Sequence, residues 1–462
     1  MQKPSIPKGT RDFAPDVMLK REWLFNTLKT VFRKYGYLPL ETPSMENLSV
    51  LTGKYGEEGD RLIYKILDSG DYLRGISAEN IADAQTEGIR GAAKLAPKLA
   101  EKALRYDLTV PFARFVAMNH TTLTFPFKRY QIQPVWRADS PQANRYREFY
   151  QCDADVVGAE SLVYDAEFVA MYDEALSNLG LQDITIQINN RKILTGYAEY
   201  IGQTDKFTEM CVAIDKWDKI GAEGVKKELL EKEIPENDID RLFEVISFEG
   251  TNEAKLAFLQ EKFEDCAEGS KGVAELKEVL ALHQYLRSYQ AKVEFTLLLA
   301  RGLNYYTGTI YEVRAGGTSV SVSIGGGGRY DNLTGVFGVN GLSGIGISFG
   351  ADRIYNVLQE LNLFPETSAS GIQVLVVNFG KETLSACLEA LQRFRDAGIS
   401  AEYYPKDIKI GKQFTYADKK GIPFVLIIGS QEMESGIYKV KNLGTGVEAS
   451  FPKTTNPIEI LS

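Results

Sequence analysis

Histidine is almost missing from this chain: two residues, His120 and His283, among 462. That scarcity all but excludes a His-rich metal site and makes a Ser-His-Asp hydrolase a poor fit. Both histidines read as surface or packed side chains. Cysteine is nearly as rare. Cys152, Cys211, Cys266 and Cys387 lie far apart and form no CxxC pair, which argues against a disulfide framework or a thiolate zinc site. No zinc is expected. No apolar run approaches the ~20 residues that span a bilayer. The opening MQKPSIPKGTRDF lacks the apolar stretch of a signal peptide. A cytoplasmic chain with no membrane partner is the expectation. The sequence also lacks a GxxxxGK[ST] loop and a GxGxxG opening a helix, so any bound phosphates must be held by side chains. Finally there is no basic excess: the net charge is −9, against the usual sign for nucleic-acid binding.

Net charge is a sum, and binding depends on where the charge sits. Beyond residue 371 acidic and basic residues roughly balance, and Lys406, Lys409, Lys412, Lys419 and Lys420 fall close together. That patch fits either a solvated helix face or a salt-sensitive RNA contact, with Lys412 as the candidate. The 44% hydrophobic content is that of a folded protein, and the length allows roughly two to four domains at ~100–200 residues each.

Along the chain, residues 16–35 carry apolar side chains at helical spacing, started by Pro15 and stopped by Gly36. In GYLPLETPSM, Pro39 and Pro43 point to a strand edge. Residues 60–74 read as a hairpin turning at Asp68-Ser69-Gly70, and 77–104 as a helical excursion. Strands follow in FKRYQIQPVWRAD and REFYQCDADVVG, then an amphipathic helix over 161–180. Residues 193–290 are charge-rich, glycine-poor and mostly helical, an inserted module. From 293 the chain returns to glycine-rich strands, implying a mostly antiparallel sheet with packed helices. After a linker at 365–371, IQVLVVNF, a helix with Leu384, Leu388, Leu391 and Phe394 on one face, and PFVLIIG read as an α/β domain with a largely parallel sheet. The fold class is α+β, with domains at 1–365 and 371–462.

Arginine is the natural phosphate ligand, because its planar fork binds bidentately. Arg137 follows a strand, Arg145 sits in a polar loop, Arg301 precedes a glycine, and Arg353 opens a helix. Each alone reads as a surface arginine; their joint placement at element ends is more informative. PVWRADSPQANRYREFYQCDADVVG resembles motif 2 of the class II aminoacyl-tRNA synthetases, GISFGADRI motif 3, and GYLPLETPSM motif 1, with Pro43 as its fixed proline. RGLNYYTGTIYE, GGGGRYDNL and RYDLTVPFARF resemble signatures of the histidyl-tRNA synthetase family within that class. The resemblance covers nearly the whole chain and ends in an anticodon-binding-like α/β domain.

The resemblance implies ATP-dependent activation of histidine to the adenylate, then transfer to the 3′ end of histidine tRNA by an AMP-forming ligase. Mg²⁺ would enter with ATP, and motif 1 would build a homodimer. Arg137 and Arg301 would act on the α-phosphate and the amino-acid carboxylate. Arg145 and Arg353 would hold the outer phosphates, with Phe149 on adenine and Asp139 at its edge. Asp155 and Tyr306 would read the two imidazole nitrogens, beside Tyr305. Asp107, Thr109 and Gln151 would hold the α-amino group, with Leu108 in the same histidine site. Gly325–Gly328 would form the floor. Gln142 is the candidate contact to the tRNA acceptor end.

Departures from the family pattern are the segment 75–104, Asp107 where bacterial relatives often have Glu, and Ser140 in place of an arginine. Three alternatives compete: a histidine-sensing regulatory paralogue, a tRNA-sensing module, and a class II synthetase for another amino acid. The retained arginines and C-terminal domain argue against the first two, and Arg-Gly-Leu-Asn-Tyr-Tyr against the third.

Overall fold

A computed structural model describes residues 3–142, 145–300, 305–365 and 371–461. By its contacts the chain divides into two units, Met1–Asp12 with Leu24–Leu363, and Phe13–Trp23 with Phe364–Ser462. Among the described residues no helix is long and apolar enough to cross a membrane.

The larger unit is built on an eight-stranded sheet. Its order is Leu38–Pro39, Phe127–Trp136, Glu148–Val157, Gly344–Gly350, Gly325–Tyr330, Thr309–Ala315, Ile184–Asn190 and Lys292–Phe295. The outermost pair at each end is parallel, and the pairings between are antiparallel. Pro39 lies in the edge strand, where a missing N–H leaves no ladder bond unmade. The helix Pro15–Lys34 runs as the sequence indicates, with Asp16 in its first turn and Arg33 and Lys34 in its last, favourable to its dipole. Gly36 follows in the left-handed region at φ 80°. Leu24, Leu28, Val31 and Phe32 are buried. Between Ile184–Asn190 and Lys292–Phe295 the chain is helical, from Arg191–Ile201 to Ala267–His283.

Two readings of this unit need correction. Residues 60–74 do not form a hairpin. Lys65–Ile66 pairs instead with Lys102–Leu104, which also pairs with Met45–Asn47. Tyr72 and Leu73, the expected second strand, are exposed. The chain between makes two helices, Ala78–Thr86 and Ile89–Leu99, the first held by a reciprocal cap between Ser77 and Asn80. The helix Val163–Asn178 is not amphipathic. Its buried residues include Asp165, Asp173 and Glu174 beside Phe168, Met171 and Leu176, because it packs against both the sheet and the helix Ala267–His283. Asp165 pairs with Arg329 and Glu174 with Lys34 at 2.6 Å, while Asp173 accepts from the backbone N–H groups of Tyr289, Gln290 and Ala291.

The smaller unit carries a five-stranded sheet ordered Ala401–Tyr403, Val374–Val376, Phe424–Ile427, Ile437–Asn442 and Glu448–Pro452. Only the first two pairings are parallel; the last two are antiparallel, so the sheet is mixed rather than largely parallel. On the helix Leu384–Asp396 the buried face is Cys387, Ala390, Leu391 and Phe394. Leu384 and Leu388 are exposed. Small Cys387 and Ala390 face the core, which turns the stripe away from the leucines.

Candidate active site

Strand alternation places the chemistry. Along Glu148–Val157, Cys152, Ala154 and Val156 are wholly buried on one face of the sheet. Phe149, Gln151, Asp153 and Asp155 line a cavity of about 1070 Å³ on the other. Tyr106, Asp107, Thr109, Arg137, Asp139, Gln142, Arg145, Tyr305, Tyr306 and Arg353 line it too.

Two glycines shape the floor. Gly328 lies directly opposite Gly346 in the antiparallel ladder. A Cβ on Gly346 would fall 2.0 Å from Asp155 Oδ1, and one on Gly328 would fall 2.8 Å from the Tyr306 ring. Adjacent bare positions therefore seat Asp155 and Tyr306 side by side. Tyr305 packs against Tyr306 with centroids 4.8 Å apart and rings tilted by 59°, and meets Tyr330 edge-on at 6.3 Å.

Asp155 is held from two sides. The Tyr330 hydroxyl donates to its Oδ1 at 2.6 Å, and Arg129 Nη2 lies 2.9 Å from Oδ2. Burial pushes the Asp155 carboxyl up from its ordinary range, and Arg129 and Tyr330 pull it back. Burial raises Asp153 as well, Arg129 opposing and Asp155 reinforcing. Asp107 accepts from the Tyr55 hydroxyl at 2.8 Å and from the Val110 N–H at 3.1 Å, at the start of the helix Thr109–Asn119. Its carboxyl too is raised by burial, with Tyr55 opposing most. Gln151 donates to Ser348 Oγ at 3.0 Å, while its carbonyl oxygen is buried without a hydrogen-bond partner.

Arginines converge on the other part of the cavity. Arg137 Nε donates to the Tyr106 carbonyl at 3.1 Å, and its guanidinium sits 4.3 Å from the Tyr106 ring centre and 5.2 Å from that of Phe149. Arg145 lies 3.1 Å from Asp139, and its backbone exchanges hydrogen bonds with Gln142. Arg353 opens the helix Ala351–Glu360 and donates to the Ser323 carbonyl at 2.6 Å.

One residue expected at the histidine site falls elsewhere. Leu108 is wholly buried off the cavity surface, its carbonyl accepting from Arg129. Lys412 is exposed on the helix Ile410–Lys419 of the smaller unit. Arg301 lies outside the described residues. Arg129, Asp153, Tyr330 and Ser348 were not singled out from the sequence. The alternation Gln151, Asp153, Asp155 could have found Asp153. Nothing local marks Arg129, a lone arginine within a strand. Among the described residues no group of three or more His, Cys, Asp or Glu is arranged to hold a metal ion.

A broad, mainly antiparallel sheet that gathers arginines and buried carboxylates in one cavity is the arrangement of a class II aminoacyl-tRNA synthetase. Residues 79–354 match the family model for histidyl-tRNA synthetase, and residues 373–455 that for the anticodon-binding domain. A histidine–tRNA ligase of Phocaeicola vulgatus is 54% identical over 97% of this chain and 96% of its own length. One of Cytophaga hutchinsonii is 52% identical over 96% of this chain and 97% of its own. The crystal structure of a histidyl-tRNA synthetase from Nostoc sp. PCC 7120 superposes with a TM-score of 0.82 at 30% identity, covering 100% of this chain and 99% of that one. The chain belongs to the histidyl-tRNA synthetase family.

Proposed function

We propose that the cavity activates L-histidine with MgATP and passes it to the 3′ end of histidine tRNA. The observation that carries this reading is the meeting of Arg137, Arg145 and Arg353 with Asp155 and Tyr306 in one cavity. A histidine carboxylate oxygen attacks the α-phosphorus, and the bond to the bridging oxygen breaks to release pyrophosphate. A terminal tRNA hydroxyl then attacks the carbonyl carbon, and AMP leaves. The attacking carboxylate is already ionised, so no side-chain base is needed; alignment and fixed positive charge supply the rate. Arg137, with Arg301, stabilises charge at the α-phosphate. Arg145 and Arg353 hold the outer phosphates, while Phe149 and Asp139 receive adenine. Mg²⁺ arrives as part of the nucleotide, and no zinc takes part.

Asp155 and Tyr306 read the imidazole nitrogens, Tyr305 closes the pocket, and Asp107, Thr109 and Gln151 hold the α-amino group. The orphan Gln151 oxygen supports that last role. Leu108 contributes through its position between Asp107 and Thr109. Gln142 meets the acceptor end, and Lys412 contacts tRNA from the anticodon-binding domain at 371–462. The catalytic domain is 1–365, with the helical module at 193–290 set into it. The enzyme works in the cytoplasm, where tRNA is charged, as a homodimer; a sedimentation mass near 51.5 kDa rather than twice that would remove the dimer. No observation favours the regulatory paralogue.

The deciding experiment is exchange of labelled pyrophosphate into ATP. Histidine is expected to drive it and other amino acids not. Absent exchange, or exchange driven by another amino acid, would overturn the reading.

A further inference from the structure

Asp153 precedes Asp155 by two residues on the same strand and lines the same cavity. It is 1% exposed, and its Oδ1 has no hydrogen-bond partner. Ser348, across the ladder on Gly344–Gly350, hydrogen-bonds to it. Behind the two carboxylates stands Arg129, 0% exposed, with its Nε and Nη1 unpartnered and the Phe112 ring centre 4.3 Å from its guanidinium. Two buried carboxylates thus face one buried cation. With both ionised, the cluster holds an uncompensated negative charge out of water, which is costly unless a ligand or a proton neutralises it.

We propose that Asp153 is a specificity-determining residue for histidine: with Asp155 it holds one proton in common with the bound imidazole, so that histidine enters together with a single proton. The inference rests on the reading of Asp155 as an imidazole partner. Imidazole suits this arrangement because it can carry or release a proton near neutrality. An imidazolium between two carboxylates and a neutral imidazole beside a protonated pair contain the same number of protons, and the cluster is neutralised either way. The Asp153 carboxyl is pushed up to about 7, by burial first and by Asp155 against the opposing Arg129, so the free site is poised to take up that proton. Other groups facing it are Asp107 ahead of the helix Thr109–Asn119, Tyr330 on Gly325–Tyr330, and Tyr305 and Tyr306; Asp107 adds to the negative field.

The test is the histidine KM in pyrophosphate exchange from about pH 7 to about pH 9. For the wild-type enzyme it is expected to rise with pH, approaching about tenfold per unit, as the required proton becomes scarce. Asp153→Asn, whose carboxamide takes up no proton, is expected to flatten that rise while the ATP KM stays unchanged. A second measurement avoids dependence on the variant's folding. Calorimetric titration of the wild-type protein with histidine near pH 8, in buffers of different ionisation enthalpy, is expected to report uptake of nearly one proton per histidine. No uptake, an unchanged pH slope in Asp153→Asn, or an equal rise in both KM values would overturn the inference. Exchange driven by histidine with a pH-independent KM would sink this inference alone; no exchange at all would sink the reading beneath it.

Discussion

Gly346 and Asp155 share one small volume: a methyl group on the glycine would stand 2.0 Å from the carboxylate oxygen. Gly346→Ala is therefore expected to displace Asp155. Overpacking of this kind costs ~1–3 kcal/mol, so the histidine KM should rise roughly tenfold or more. The ATP KM should move little. Steady-state exchange kinetics check this; parallel changes for both substrates would show a general collapse instead.

Arg137 and Arg353, proposed to meet the α-phosphate and the outer phosphates respectively, should separate in their kinetics. If Arg137 stabilises charge that develops at the α-phosphate, Arg137→Ala is expected to lower kcat for adenylate formation by about 10²-fold or more. If Arg353 holds the outer phosphates, which are charged throughout, Arg353→Ala should mainly raise the ATP KM. Single-turnover adenylate formation distinguishes them, and identical profiles would refute the division.

Stability should respond to pH through Asp153. Its folded-state value is raised to about 7 from 3.8. Between those values the unfolded chain has released a proton that the folded protein still binds. Stability from this group is therefore complete below the lower value and is lost as pH rises through the upper one. Asp153→Asn removes that loss, so its melting temperature relative to wild type should climb between about pH 4 and about pH 7. A constant difference across that window would contradict the assignment.

The basic patch offers a test that leaves the larger cavity untouched. Lys412→Ala should raise the tRNA KM and weaken its dependence on salt, because one phosphate contact fewer releases fewer counterions. Pyrophosphate exchange without tRNA should be unaffected. An unaltered aminoacylation KM across salt concentrations would assign Lys412 to the solvated face. Its neighbour Lys420 already pairs with Glu402 at 3.1 Å.

Much of the site was legible because strand alternation is a local signal. Within Glu148–Val157, Cys152, Ala154 and Val156 are small or apolar and buried, so Gln151, Asp153 and Asp155 between and beside them had to share the other face. The helix Pro15–Lys34 was legible for a similar reason, since its period and both ends are written within it. The strand Lys65–Ile66 was not, because its partner Lys102–Leu104 lies beyond two helices and no local pattern names it. Arg129 was missed because its pairing with Asp155 is set by register between strands. The face of Leu384–Asp396 was misjudged by weighing leucines over Cys387 and Ala390, whose small size permits close approach.

Gly325, Gly326, Gly327 and Gly346 already line the cavity with bare backbone. A binding site with such a base cannot be deepened by trimming it, since no side chain remains there to shorten. Enlarging the accepted amino acid would have to come from Asp155, Tyr305 and Tyr306, which line the same cavity and are the groups proposed to read the ring. Any mutational route to a bulkier substrate therefore surrenders recognition before it gains room.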